Sequence, residues 1–156
     1  MKKLLIALDY DKSAQKVADT GFDLAKAMNA EVVLLHVITD PVYYSSHEYS
    51  PILGFGGHLD TSPIELDSEE SLNIAANNFL DLAKSHLGDK GIVTMVKDGD
   101  YADCILDAAK EIKADIIVIG SHSRKWLQNI VIGSVSEKVL HHARVPVLVI
   151  PIKPEK

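Results

Sequence analysis

The sequence predicts an open α/β sheet of five parallel strands covered by helices on both faces, and three observations predict it. Five short apolar runs alternate with four segments whose apolar residues recur at helical spacing. The runs are continuously apolar instead of alternating, as strands buried on both faces are. Each pair of runs is separated by enough chain for a helical crossover, which makes neighbouring strands parallel and the crossovers right-handed.

The elements follow in order. Leu4-Leu5-Ile6-Ala7-Leu8 is the first strand, closed by Asp9. Asp11 or Ser13 can cap the next helix, which carries Ala14, Val17, Ala18, Leu24, Ala25 and Met28 on one face and stops at Asn29. Val32 to Val37 forms the second strand. Residues 39–68 then break the rhythm with Pro41, Pro51, Pro63, Gly54, Gly56 and Gly57, although Tyr43, Tyr44, Tyr49 and Phe55 give them some capacity to pack. A stretch of this length without periodicity is either a functional mobile loop or a small ordered lid. Ser68 opens a helix with Leu72, Ala75, Ala76, Phe79, Leu82 and Ala83 on one face, ended by Gly88. Ile92 to Val96 is the third strand. Asp100 caps a helix bearing Ala102, Ile105, Leu106, Ala109 and Ile112; Ile116 to Ile119 follows as the fourth strand, ending at Gly120. Ser134 opens the last helix. Val147 to Ile150 is the fifth strand, and Pro146 and Pro151 on its flanks assign it to a sheet edge, because proline has no amide to donate.

The 156 residues fit one domain, 1–156, of a size that buries roughly 68–70% of its unfolded surface. With 47% hydrophobic and 24% charged residues the composition is globular. A net charge of −6 argues against sequence-blind nucleic-acid binding, with Arg124-Lys125 one candidate for a local basic site. The single cysteine, Cys104, allows no internal disulfide and no cysteine-based zinc site, and no structural metal is expected. Met1-Lys2-Lys3 is followed by too few apolar residues for a signal peptide, and no run approaches the ~18 of a spanning helix. A soluble cytoplasmic protein without membrane contact is the expectation.

In open sheets of this kind ligands sit beyond the carboxyl ends of the strands, where the winding reverses, which points to the residues after Leu8, Val37 and Ile119. Residues 119–137 supply the chemistry. A buried strand ends in Gly120, a polar and basic loop follows, and Gly133 leads into a helix at which Ser134 and Glu137 have capping-box spacing. A helix start offers free amides and a partial positive charge, and a glycine before it lets an anion approach the backbone. Ser134 and Ser136 add hydroxyls. The guest this chemistry fits is a phosphate.

The same segment closely resembles the signature of the universal stress protein family, Gly-x2-Gly-x9-Gly-[Ser/Thr]. Here it reads Gly120, Ser123 where glycine is usual, and then nine residues to Gly133-Ser134. Leu-Leu-Ile-Ala-Leu-Asp at residues 4–9, Leu-Leu-His-Val at 34–37, Gly-Asp-Tyr-Ala at 99–102, Gly-Ser-Val-Ser-Glu-Lys-Val-Leu at 133–140 and Val-Pro-Val-Leu-Val-Ile at 145–150 extend the likeness over the chain except residues 39–68. The resemblance implies a Rossmann-like sheet of the adenine nucleotide alpha hydrolase type with strand order 3-2-1-4-5, binding ATP, ADP or AMP. It also implies a homodimer formed through the edge strand 147–150, and a regulatory or sensing role in the stress response. By the same resemblance Asp9, with Ala7 and Leu8 before it, and Val37 line the adenosine part of the cleft. Ile119 leads into Gly120, which with His122 and Ser123 approaches the ribose and phosphates; Gly133, Ser134, Val135 and Ser136 donate to the phosphates. Ala7 stands where many binders have proline. Serine at position 123 permits close approach if its backbone φ is negative and is disfavoured if φ is positive.

Other residues read more plainly. His36, inside an apolar strand, is a hydrogen-bonded core histidine. His141-His142 suit the negative end of a helix and, being adjacent, do not face one another as a metal pair. Cys104 is packing, and Trp126 has no anchor in the pattern. No paired-carboxylate motif, nucleophile elbow or Walker-type lysine occurs, so the sequence supports binding with at most slow hydrolysis and leaves open whether magnesium accompanies the nucleotide. A nucleotide-free dimeric interaction module and a slow nucleotide hydrolase are the alternatives.

Overall fold

The computed structural model describes residues 1–38, 69–121 and 134–152. In order these form β1 (Lys3–Ala7), α1 (Ala14–Met28), β2 (Glu31–Val37), α2 (Glu69–Leu87), β3 (Val93–Lys97), α3 (Tyr101–Ile112), β4 (Ile116–Gly120), α4 (Ser134–His142) and β5 (Val147–Ile150). The five strands make one sheet in the order β3-β2-β1-β4-β5, and every pairing is parallel, as expected. The chain winds outward one way through β2 and β3 and the other way through β4 and β5. The reversal therefore lies between β1 and β4, where Leu4, Leu5 and Ile6 pair with Ile116, Ile117 and Val118.

Side chains alternate along each strand, so the sheet has two apolar faces. Leu4, Ile6, Leu8, Val32, Leu34 and Val118 pack with Ala14, Val17, Ala18 and Ala25 of α1 and with Phe79, Leu80 and Ala83 of α2. Leu5, Val33, Leu35, Val37, Ile117 and Ile119 face the other way, against Ala102, Ile105, Ala108 and Ala109 of α3 and Val139 of α4. Helix α1 lies hard against β1 because Gly21 leaves room for it: a Cβ there would sit 2.7 Å from Ile6 Cδ1.

Several local expectations shift. Ser13 has helical backbone angles and makes no side-chain cap. The Asp11 carboxylate is the group that holds the entry to α1, accepting from the Ser13 amide at 3.1 Å and the Ser13 hydroxyl at 2.6 Å. Asn29 ends α1 in the left-handed region, φ 52°, and Gly88 follows α2 with φ 72°, both as expected. On α2 the buried stripe is Ala76, Phe79, Leu80 and Ala83; Leu80 takes the central place, and Leu72, Ala75 and Leu82 are only partly covered. Strand β3 begins one residue later than its apolar run suggests, with Ile92 buried just before it. The edge position of β5 holds: the Pro146 carbonyl accepts from the Ile117 amide at 3.0 Å. No helix among the described residues is long and apolar enough to cross a membrane. The loop or lid expected over residues 39–68 falls outside the described residues.

Candidate functional site

The ends of β1, β2 and β4 build the floor of the reversal point. Past Ala7 the chain is still held to β2, since the Leu8 amide donates to the Leu35 carbonyl at 2.8 Å. The Leu8 carbonyl accepts from His36 Nδ1 at 2.8 Å, and the Asp9 carbonyl accepts from the Asp11 amide at 2.9 Å, turning the chain into α1. Asp9 is half-buried at this exit. By the alternation along the strands, Ala7, Val37 and Ile119 share one face, and they join Val135 of α4 in a single apolar cluster. Leu8 does not join them: its side chain packs into the opposite face, so only its backbone lies at the exit.

Helix α4 is anchored over the end of β4 by its first turn. Ser136 is buried, and its hydroxyl donates to the Gly120 carbonyl at 2.8 Å. That bond uses the hydroxyl's single proton, so what Ser136 has left for an anion is its amide. Ser134, the first residue of the helix, is exposed, and the cap position falls on residue 133, outside the described residues. Glu137 lies in the first turn, where its charge suits the positive end of the helix. Farther along, Lys138 reaches back to Asp100 and Asp103 at 3.1 Å each, pinning α4 to the start of α3. Asp100 is also the cap of α3, accepting from the Asp103 amide at 3.0 Å. That amide first, and Lys138 second, hold the Asp100 carboxyl below its ordinary pKa, while the two carboxylates raise Lys138.

Gly120 is small for a reason the motif does not announce. A Cβ there would meet Val17 Cγ2 at 3.1 Å and Ile152 Cγ1 at 3.3 Å, so the residue lets α1 and the tail of β5 close over the end of β4. Ser121, which sequence reasoning passed over, completes that closure. Its amide donates to the Ile150 carbonyl at 2.9 Å and its hydroxyl accepts from the Ile152 amide at 2.8 Å. The only sequence signal was its place directly after the glycine that ends β4.

The structure thus gathers Ala7, Val37, Ile119 and Val135 into one cluster and sets Asp9, Gly120 and Ser136 at the strand exits. Ser134 stands at the open start of α4. His122, Ser123 and Gly133 lie outside the described residues, as do Arg124, Lys125 and Trp126. A recess along α4, lined by Ser134, Glu137, Lys138, His141 and His142, includes no residue from a strand end. His141 and His142 occupy the last turn of α4, as expected of imidazoles there. Cys104 is buried, and loss of water pushes its thiol pKa up. No group of three or more His, Cys, Asp or Glu among the described residues could hold a metal ion. Within the apolar cluster Ala7 and Val135 are partly exposed beside the helix start, whereas Val37 and Ile119 are almost fully buried behind them.

A doubly wound parallel sheet with a helix start hooked over the exit of β4 defines the class of α/β domains that bind ligands at the strand ends. Within that class, residues 1–151 match the model of the universal stress protein family, and the chain belongs to it. It is 34% identical to universal stress protein MJ0577 of Methanocaldococcus jannaschii over 159 residues, covering 97% of this chain and 96% of that one. The solved structure of MJ0577 superposes with a TM-score of 0.68 at 28% identity, covering 99% of this chain and 98% of the other. The universal stress protein of Archaeoglobus fulgidus in complex with dAMP has the same fold, with a TM-score of 0.59 at 22% identity and 96% of each chain covered. So has a universal stress protein in complex with cAMP, with a TM-score of 0.62 at 19% identity, covering 97% of this chain and 98% of the other.

Proposed function

We propose that this universal stress protein binds an adenine nucleotide (ATP, ADP or AMP) at the carboxyl end of the sheet and acts as a regulatory or sensing protein in the stress response. The observation that carries the reading is the convergence at the β1/β4 reversal: an apolar floor of Ala7, Val37, Ile119 and Val135, with the start of α4 fixed beside it by the Ser136–Gly120 bond. The floor suits the base, Asp9 suits a ribose hydroxyl better than a phosphate it would repel, and the amides of residues 134–136 suit the phosphates. Proteins of this fold hold dAMP and cAMP, which agrees with an adenosine moiety as the common element. Magnesium would arrive on the phosphates of ATP; among the described residues no group of three or more His, Cys, Asp or Glu could hold it. A second copy adds along the edge strand β5, where Leu148 is exposed, hiding backbone groups that an edge leaves open.

Nucleotide content settles the first claim. Denatured extracts of purified protein are expected to release AMP, ADP or ATP, or calorimetry with millimolar ATP to show binding. Gly133→Val is expected to abolish retention with the fold intact, and Ser123→Gly to hold or raise it. Silence in both assays leaves the nucleotide-free interaction module as the better reading. Light scattering that finds only monomer at micromolar concentration removes the β5 dimer.

A further inference from the structure

We infer that His36 is a positioning residue for the nucleoside end of the site, because it holds the chain on both sides of Asp9; the inference rests on the nucleotide reading above. The ring is fully buried at the end of β2, on the face opposite Val37. Its Nδ1 lies 2.8 Å from the Leu8 carbonyl oxygen. A carbonyl only accepts, so Nδ1 carries the proton and the ring donates. The peptide joining Leu8 to Asp9 is planar, so fixing its oxygen also fixes the Asp9 nitrogen and Cα. Leu8 is thereby gripped twice by consecutive residues of β2, through its amide to Leu35 and through its carbonyl to His36. On the other side of Asp9, the Tyr10 ring folds back 6.4 Å from the His36 ring and 5.1 Å from that of Phe79. Phe79 in turn meets His36 edge-on at 5.0 Å, which closes the three rings on one another. Satisfying a core polar group needs only one of these contacts. Together they set the direction in which Asp9 leaves the sheet, and an apolar residue at position 36 would keep the packing while releasing the Leu8 carbonyl.

The test separates donor position from burial. An asparagine amide can stand where Nδ1 stands, whereas a glutamine amide reaches the place of Nε2. Both His36→Asn and His36→Gln lose the ring and are expected to melt at lower temperature than the wild type. Their ATP affinities, measured by calorimetry, are expected to part company: His36→Asn stays within about threefold of wild type, and His36→Gln falls about tenfold or more. In amide spectra of the ligand-free proteins, Asp9 and Asp11 are expected to keep their wild-type positions in His36→Asn and to move in His36→Gln. Wild-type protein that neither releases a nucleotide on denaturation nor binds ATP overturns the functional reading and this inference with it. Wild-type protein that binds, with both variants unchanged or both weakened in step with their melting temperatures, overturns the inference alone.

Discussion

The two faces of the sheet are made from similar strand residues, yet they hold their helices by different means. On the α1/α2 face, beside Ala14, Ala18, Ala25 and Ala83, the helices bring the bulk of Phe79, Leu80 and Val17, and His86 of α2 meets Asp19 of α1 at 2.8 Å. The Tyr10, His36 and Phe79 rings close the end. On the α3/α4 face the buried helix residues are mainly small, Ala102, Ala108 and Ala109 beside Ile105 and Val139. There the placement of α4 depends on directional contacts, from Ser136 to the Gly120 carbonyl and from Lys138 to Asp100 and Asp103. Apolar burial is non-directional and large, while single polar contacts are modest but fix geometry. Both faces bury an apolar core; the α1/α2 face adds aromatic bulk to it, and on the α3/α4 face polar contacts set where a helix starts.

The largest effect is expected where bulk does the holding. Phe79→Ala removes a ring that is 2% exposed and should cost about 3–5 kcal/mol in urea denaturation. A cost under about 1 kcal/mol would erase the contrast between the faces, since that is the range of an ordinary hydrogen bond. The next effect sharpens what Gly120 is for. Gly120→Ala drives a Cβ toward Val17 and Ile152, and overpacking of this kind costs about 1–3 kcal/mol. If its smallness serves ligand approach alone, stability should stay at the wild-type value and only ATP affinity should fall.

The fold was legible because its signals are redundant. Continuous apolar runs, crossover-length connections and the prolines around β5 all point to the same sheet, and no single residue decides it. The faces were partly legible: Leu8 follows Leu4 and Ile6 by four and two residues, so its turn away from the cleft side is written in the alternation. What sequence did not disclose is tertiary. Leu80 outranks Leu72 on α2 because the sheet, not the helix, decides which part of a broad apolar stripe is covered. Asp11 was one of two candidates for the entry to α1, and only the helical angles of Ser13 decide between them. The Ser121 clamp and the Val17–Ile152 closure over Gly120 join residues from distant parts of the chain, and no local pattern encodes them. At the site, the alternation and the fold rule located the strand exits, but the commitment of the Ser136 hydroxyl to a carbonyl needed coordinates.

The smallest expected effect tests the polar staple on the α3/α4 face. Asp100 is stabilised in its charged form by the Asp103 amide and by Lys138, so its folded pKa lies below the ordinary 3.8. A depressed carboxyl contributes stability that is complete above the unfolded pKa and lost as pH falls through the folded one. Lys138 is raised above 10.5, so its contribution is complete below that value and lost as pH climbs through the folded pKa. Asp100→Asn should therefore flatten the acid limb of the stability curve below about pH 4 and part of the alkaline limb. Both groups face solvent, so the change should be slight and should shrink further in high salt. The more informative readout is geometric. If Lys138 aims α4, Asp100→Asn should shift the amide resonances of Ser134 to Ser136 while those of Leu4 to Ile6 stay in place, and an unmoved helix start would assign the whole task of aiming to Ser136.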